Sequence, residues 1–352
     1  MPDWTKAMQQ TFEYYVVDPN TWKDTTPIRC IESSSITRDI ETDTLGTATI
    51  DATESIKECY VRIYLVTVQN GVKERHPLAT VLVQSPTSDF DGKVTKCTMD
   101  AYTPLLELKE GKPPVGYSHF KGDNIMEEVC RITREQTRAP VVAVTDDATL
   151  TKDFVSDPEE TWLSYIVSLM ANAEYSFDMD ATGRVLFAPK QDTAALQPIW
   201  TYDDGNSSIL YSEISLNNDL YNIPNVVEVV YSDDFDTFYA RVVNDDSNSP
   251  VSTVNRGREI LYRETSPKFD GPATQAIIDE YAKRLLRNLS SIEYTLSYKH
   301  AYCGTRVGDC VRLNYKRAGL TGIKARIVSQ TITCDQGCPV SEKAVFTTKL
   351  WG

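Results

Sequence analysis

Histidine is scarce in this 352-residue chain, and basic charge falls well short of acidic. His76, His119 and His300 are the only three histidines, each alone in its neighbourhood. A lone imidazole beside Pro or Ser offers no paired base, so the three are read as surface or core fillers. Lys and Arg number 36 against 50 Asp and Glu, a formal net charge of −14. The clustered basic excess of a duplex-binding protein is therefore missing. No window approaches the roughly 18 apolar residues of a membrane span; the longest apolar stretches, such as Val141–Val144, are strand-sized. The opening MPDWTKAMQQTFEYY has no continuous apolar core, so no secretory signal is expected.

Motifs that carry chemistry are missing too. The phosphate-cradling GxxxxGK and GxGxxG patterns, the zinc-protease HExxH and the nucleophile elbow GxSxG do not occur. Eight cysteines, at 30, 59, 97, 130, 303, 310, 334 and 338, are spread over the whole chain. Disulfide scaffolds are small and cysteine-dense, so these read as free thiols acting as small buried hydrophobes. The spacings Cys303-x6-Cys310 and Cys334-x3-Cys338 leave two alternatives open, a zinc site of four thiolates and a Cys334–Cys338 disulfide. The doublets Asp146-Asp147, Asp203-Asp204, Asp233-Asp234 and Asp245-Asp246 sit beside turn residues and read as solvated turns rather than paired catalytic acids. Asp178-Met-Asp180-Ala-Thr-Gly183 is too poor in oxygen ligands for a calcium loop. Nineteen tyrosines do not separate a carbohydrate platform from ordinary strands. No catalytic, cofactor-binding or metal residue is assigned, and no cofactor is expected.

What is there changes texture three times. Residues 1–115 read as β: CYVRIYLVTV (59–68) is apolar on both parities, as in a strand covered on both faces. Asn70-Gly71 then predicts a tight hairpin, because a type I′ turn needs positive φ at both central residues. HPLATVLVQS (76–85) is its return arm and TATIDAT (47–53) an alternating strand. Residues 116–199 switch period. Asp123 is expected to cap a helix with Ile125, Met126, Val129 and Ile132 on its inner face. A second helix is expected to open at Asp157-Pro158-Glu159-Glu160, with Trp162, Ile166, Leu169, Met170 and Ala173 as its stripe. The hairpin YSFDM (175–179) to RVLFAP (184–189) follows. The remainder is β around one helix, 272–289, with a stripe of Ile277, Ile278, Tyr281, Leu285 and Leu289 and possible pairs Asp279–Lys283 and Glu280–Arg284.

The order of these elements resembles the tail hub proteins of tailed bacteriophages, the β-barrel family at the tail tip or baseplate centre. The stretches that carry the similarity are SSSITRDIETDTLGTATIDA (33–52), RVLFAPKQ (184–191) and ILYSEISLNNDLYNIPNVVEVVYSD (209–233), then the helix at 272–289 and VGDCVRLNY (307–315). The resemblance implies an α+β, β-rich fold with two tail-tube-like β-barrels and an α/β module between them. Carried over, the barrels are 1–115 and 200–240 with 290–352; the module is 116–199, with the 241–289 helix segment packing on it. It further implies a structural virion protein rather than an enzyme: a homotrimeric hub at the tail tip that adapts a sixfold tube to a threefold tip and forms part of the DNA ejection channel. Implied partners are the distal tail or tail-tube protein, the tape measure protein, and tail fibre, spike or other tip proteins. Viral DNA would pass through the lumen without specific binding, and lumen-facing acids would keep it from sticking. Because the sequence stops at Leu350-Trp351-Gly352, any lytic or fibre domain is expected on another polypeptide. The alternatives are a tail-associated cell-wall hydrolase, of glycosidase or peptidase type, and a host-surface adhesin.

Overall fold

The structure, a computed structural model, describes residues 2–90, 92–93, 95–191, 193, 195–218, 220, 223–232, 237–265, 267 and 273–349. Asp219, Tyr221 and Asn222 of the 209–233 stretch, the doublet Asp233-Asp234, Pro272 at the expected helix start and Leu350-Trp351-Gly352 lie outside the described residues. The chain divides into two compact units, residues 1–214 with 297–344 and residues 215–296 with 345–352.

Seven strands come first: β1 (Gln9–Val17), β2 (Asp24–Ile28), β3 (Ile31–Asp39), β4 (Gly46–Ala52), β5 (Tyr60–Gln69), β6 (Val72–Phe90) and β7 (Thr95–Tyr102). Then follow α1 (Leu106–Glu110), β8 (Ser118–His119), α2 (Ile125–Gln136), β9 (Phe154–Val155), α3 (Trp162–Ala171), β10 (Tyr175–Met179) and β11 (Val185–Pro189). The rest is β12 (Trp200–Asp203), β13 (Leu210–Asn218), β14 (Val226–Ser232), β15 (Thr237–Val243), α4 (Thr253–Arg256), β16 (Leu261–Glu264), α5 (Gln275–Leu289), β17 (Ser291–Ala301), β18 (Cys310–Asn314), β19 (Ile323–Cys334) and β20 (Pro339–Lys349).

In the first unit the strand order is β13-β17-β20-β19-β3-β4-β7-β6-β5-β1-β2, with β18 paired to β19 and β12 parallel to β18. The parts of β13, β17 and β20 in this unit are residues 210–214, 297–301 and 339–344. β5 lies inside the sheet, between β1 and β6, with both parities buried: Val61, Ile63 and Leu65 on one, Tyr60 and Val66 on the other. Each such side chain contributes about 1.5–3 kcal/mol by leaving water. At the end of β5, Asn70 has φ 51° and Gly71 φ 77°, and Gln69 pairs with Val72. The expected hairpin is therefore closed by the two residues that best tolerate positive φ.

The β-rich α+β class is as expected. The strands of the two expected β regions also meet: β3 pairs antiparallel with β19, from Asp39 opposite Ser329 to Ser34 opposite Cys334. Among the described residues the order closes no barrel and ends at β13 and β2. An exposed strand edge gains hydrogen bonds from any aligned neighbour, and here β3 and β19 supply each other.

Between these strands, α2 and α3 pack Met126, Val129, Ile132, Tyr165, Ile166 and Leu169 against Phe177 and Phe187 of the β10–β11 hairpin. Both expected caps shift. Asn124, not Asp123, caps α2, its Oδ1 accepting from the Glu127 amide at 2.9 Å. Asp123 instead accepts from the Phe120 amide at 2.8 Å. α3 opens one turn later than expected, where Thr161 and Ser164 form a reciprocal capping box. Asp157 to Glu160 closes on itself as a turn, with the Glu160 amide donating to the Asp157 carbonyl at 3.1 Å. Asn and Asp, or Thr and Asp, cap about equally well at about 1 kcal/mol, so tertiary packing chooses between adjacent candidates.

The second unit holds a three-stranded sheet, β15-β14-β16, with α5 packed on β14 and β15. Within residues 200–240, β12 pairs with β18, and β14 pairs with β15 and β16. α5 starts after Thr274, whose hydroxyl accepts from the Ile277 amide. Its buried face is Ile278, Ala282 and Leu286, while Ile277 is exposed. Asp279 accepts from Gln275 at 2.8 Å, and among the described residues neither expected i,i+4 pair closes.

Candidate functional site

The three histidines lie apart. His76 meets Thr67 Oγ1 at 3.1 Å and His119 lies 3.6 Å from both Asp123 and Glu128. His300 is different, because it joins a polar cluster inside the first unit. Tyr298 and His300 occupy alternate, inward positions of β17; Glu342 does so on β20, between buried Val340 and Ala344. Tyr202 comes from β12 and Gln330 from β19, while Cys303 and Thr305 follow β17. All seven side chains are buried.

Glu342 is the centre. Its Oε1 accepts from Thr305 Oγ1 at 2.8 Å and Gln330 Nε2 at 2.7 Å. Its Oε2 accepts from the hydroxyls of Tyr298 at 2.8 Å and Tyr202 at 3.3 Å, and lies 3.2 Å from His300 Nε2. Burial by itself raises a carboxyl pKa, but hydrogen bonding and charge from His300, with Tyr298 and Gln330, hold Glu342 below its ordinary value. For His300 burial acts downward, and hydrogen bonds to Cys303 and Glu342 with the Glu342 charge lift it to about 10. Burial and the same carboxylate push both tyrosines well above their ordinary range, so they serve as donors. The relay continues to Arg38 on β3, whose Nη1 donates to Gln330 Oε1 at 2.9 Å.

Cys303 Sγ lies 3.9 Å from His300 Nδ1, so nucleophile, imidazole and carboxylate do converge, which the isolated histidines had not suggested. The spacing His300-x-x-Cys303 was the available signal; Glu342, inside the polar-looking VSEKAV, gave none. Nucleophilic catalysis needs a free lone pair on the base and a route for substrate. Here Nδ1 lies 2.8 Å from the Ala301 carbonyl, to which it donates, and all seven side chains are buried. With Arg38 the cluster ties five strands together, β3, β12, β17, β19 and β20.

The remaining candidates are structural. Asp146, Asp203 and Asp246 each accept from the amide two residues on, as turn residues do. Asp180 is satisfied by Thr182 and Arg184 of its own loop. All eight cysteines are free thiols; burial raises Cys334 to about 11 and raises Cys310 and Cys338 as well. Among the described residues no group of three or more His, Cys, Asp or Glu is placed to hold a metal, and no helix is long and apolar enough to cross a membrane.

Edges of the sheet are a second kind of candidate. β2 carries Pro27, and the stretch of β6 beyond its pairing with β5 carries Pro86; proline blunts an edge because it donates no amide hydrogen. β13, at the other end, has no proline, one charged residue and an exposed Tyr211.

No protein-family model and no curated protein matches the sequence. Solved structures do. A tail protein from Neisseria meningitidis MC58 superposes with a TM-score of 0.64 at 11% identity, over 97% of this chain and 98% of that one. The 43 kDa tail protein of prophage MuSo2 from Shewanella oneidensis gives 0.62 at 11% identity, over 96% and 98%. A Francisella PdpA-VgrG complex gives 0.57 at 10% identity, over 97% of this chain and 58% of that one. The chain has, over nearly its whole length, the fold of phage tail proteins.

Proposed function

We propose that this chain is a structural tail protein that assembles as a homotrimeric hub at the distal end of a phage tail. The observation that carries the reading is the end-to-end likeness to the Neisseria and Shewanella tail proteins, in which both chains are covered almost completely. In this proposal the strand-rich regions 1–115 and 200–240 with 290–352 face the tube, and the module 116–199 stands outside it. Three copies with two such regions each would match a sixfold tube above a threefold tip. The net charge of −14 per chain would repel DNA from the lumen wall. Neighbours would be the tail-tube, tape measure and fibre or spike proteins, and the protein would reside in the virion. In this proposal the role is structural rather than enzymatic, which the burial of Cys303, His300 and Glu342 supports. Light scattering across a concentration series, with imaging of the same fractions, tests this. A species of three times 39.6 kDa with a ring-shaped projection is expected. A strict monomer that stays monomeric on preassembled tail tubes would overturn the trimer.

A further inference from the structure

The chain is acidic as a whole, but the β18–β19 hairpin is not. Residues 310–325, which form β18, the turn after it and the start of β19, hold Arg312, Lys316, Arg317 and Lys324 and no Asp or Glu. Alternation along β18 buries Val311 and Leu313 and turns Arg312 outward. Arg312 lies directly opposite Lys324 in the β18–β19 register. Like charges opposite each other on one sheet face repel and weaken the pairing. Lys316 and Arg317 stand exposed in the turn beyond.

Among the described residues no carboxylate lies within ion-pair distance of Arg312, Lys316 or Arg317. Lys324 donates to the Leu196 carbonyl at 3.1 Å. The carboxylates that border the hairpin serve their own loops. Asp309 accepts from the Arg306 amide at 2.8 Å, and Asp203, opposite Asn314, accepts from the Gly205 amide at 2.9 Å; Asp204 beside it is half-buried. Other exposed guanidiniums are neutralised in place: Arg131 by Glu128 and Glu135, Arg138 by Glu107, and Arg241 and Arg263 by Glu228.

We infer that the β18–β19 hairpin docks on the acidic surface of a second copy of this chain. With 50 Asp and Glu against 36 Lys and Arg, most other approaches between two copies set acid against acid. Four cations are few for a duplex, where binding proteins make about 6–10 phosphate contacts, but enough to set the register of a protein contact. The contact joins different surfaces of the two copies, the head-to-tail kind that closes into a ring when its rotation allows. It thus deepens the homotrimer proposed above and rests on it.

Light scattering of the full chain at about 0.1 M and about 1 M sodium chloride tests it, because the reach of exposed charges falls from about 10 Å to about 3 Å between the two. The concentration at which the assembled species forms should rise at least about tenfold in the higher salt. Arg312→Glu with Arg317→Glu should raise it at least about tenfold in the lower salt. The same variant should unfold at no lower urea concentration than the parent, because glutamate opposite Lys324 replaces a repulsion with an attraction. Lys316→Glu with Arg317→Glu, both in the exposed turn, keeps the test open if the substitution in β18 fails to fold. Assembly that either the salt or the charge reversal leaves unchanged would overturn the inference and leave the trimer standing. A chain that is monomeric in both salts, on preassembled tubes as well, would overturn both. Binding of a random-sequence DNA duplex that the reversal abolishes, with assembly unchanged, would assign the hairpin to phosphates and overturn the second copy as its occupant.

Discussion

His300 Nε2 and Glu342 Oε2 lie 3.2 Å apart with both side chains fully buried, and Tyr202, Tyr298, Thr305 and Gln330 all donate to the carboxylate. Charges taken from water are tolerated only when fully paired, and removing one partner is costlier than removing both. Glu342→Gln should therefore destabilise the chain by about 3–5 kcal/mol, while Tyr298→Phe, which removes one of several donors, should cost about 1–3 kcal/mol. Urea unfolding of the two variants beside the parent reads the difference. Equal costs would mean that the network is not centred on the carboxylate.

The same pair sets a pH window. His300 is raised when folded, so its contribution is complete below the unfolded imidazole value near 6.5 and is lost as pH rises toward about 10. Glu342 is lowered when folded, so its contribution is present above the ordinary carboxyl range and is lost as pH falls through and below it. Unfolding midpoints should fall between about pH 6 and about pH 9 in the parent, and His300→Gln should flatten that slope. A parent slope unchanged by the substitution would place the titrating group elsewhere.

Gly183 closes the β10–β11 turn with φ +77°, and a Cβ there would sit 2.7 Å from Thr80 Cβ and 3.0 Å from the Trp22 ring. Gly71 has the same φ and nothing within 4 Å. Gly71→Ala should therefore cost about 1 kcal/mol of backbone strain alone. Gly183→Ala should cost about 2–3 kcal/mol more, because Trp22 Nε1 and Arg62 also donate to the adjoining Thr182 carbonyl at 2.7 and 3.0 Å. Thermal unfolding of both variants compares the terms.

If β13 offers its open edge to another copy, lysines at Tyr211 and Ser212 should block pairing without touching the core, since both positions are exposed. Light scattering should show the doubly substituted chain losing its assembled species, with an unfolding midpoint within about 0.5 kcal/mol of the parent. Unaltered assembly would move the contact to another surface.

Local chemistry alone determined much of this molecule. The two-faced burial of β5, the positive-φ pair Asn70-Gly71 and the Asp180–Gly183 turn all follow from side-chain period and backbone freedom within a few residues. The β-rich class and the tail-protein fold were legible for the same reason, as an order of such local elements. Features that depend on which of several equivalent residues meets a neighbour were decided only in three dimensions. Asn124 caps where Asp123 was equally able, and α5 turns Ile278 rather than Ile277 inward because β14 and β15 offer the apolar surface. The joint of β3 with β19 pairs residues up to 300 positions apart and the cluster around Glu342 joins residues up to 140 apart; no local period encodes such contacts. A glutamate between Val340 and Ala344 reads as a surface residue until the strands beside it bring the donors that let its charge stay buried.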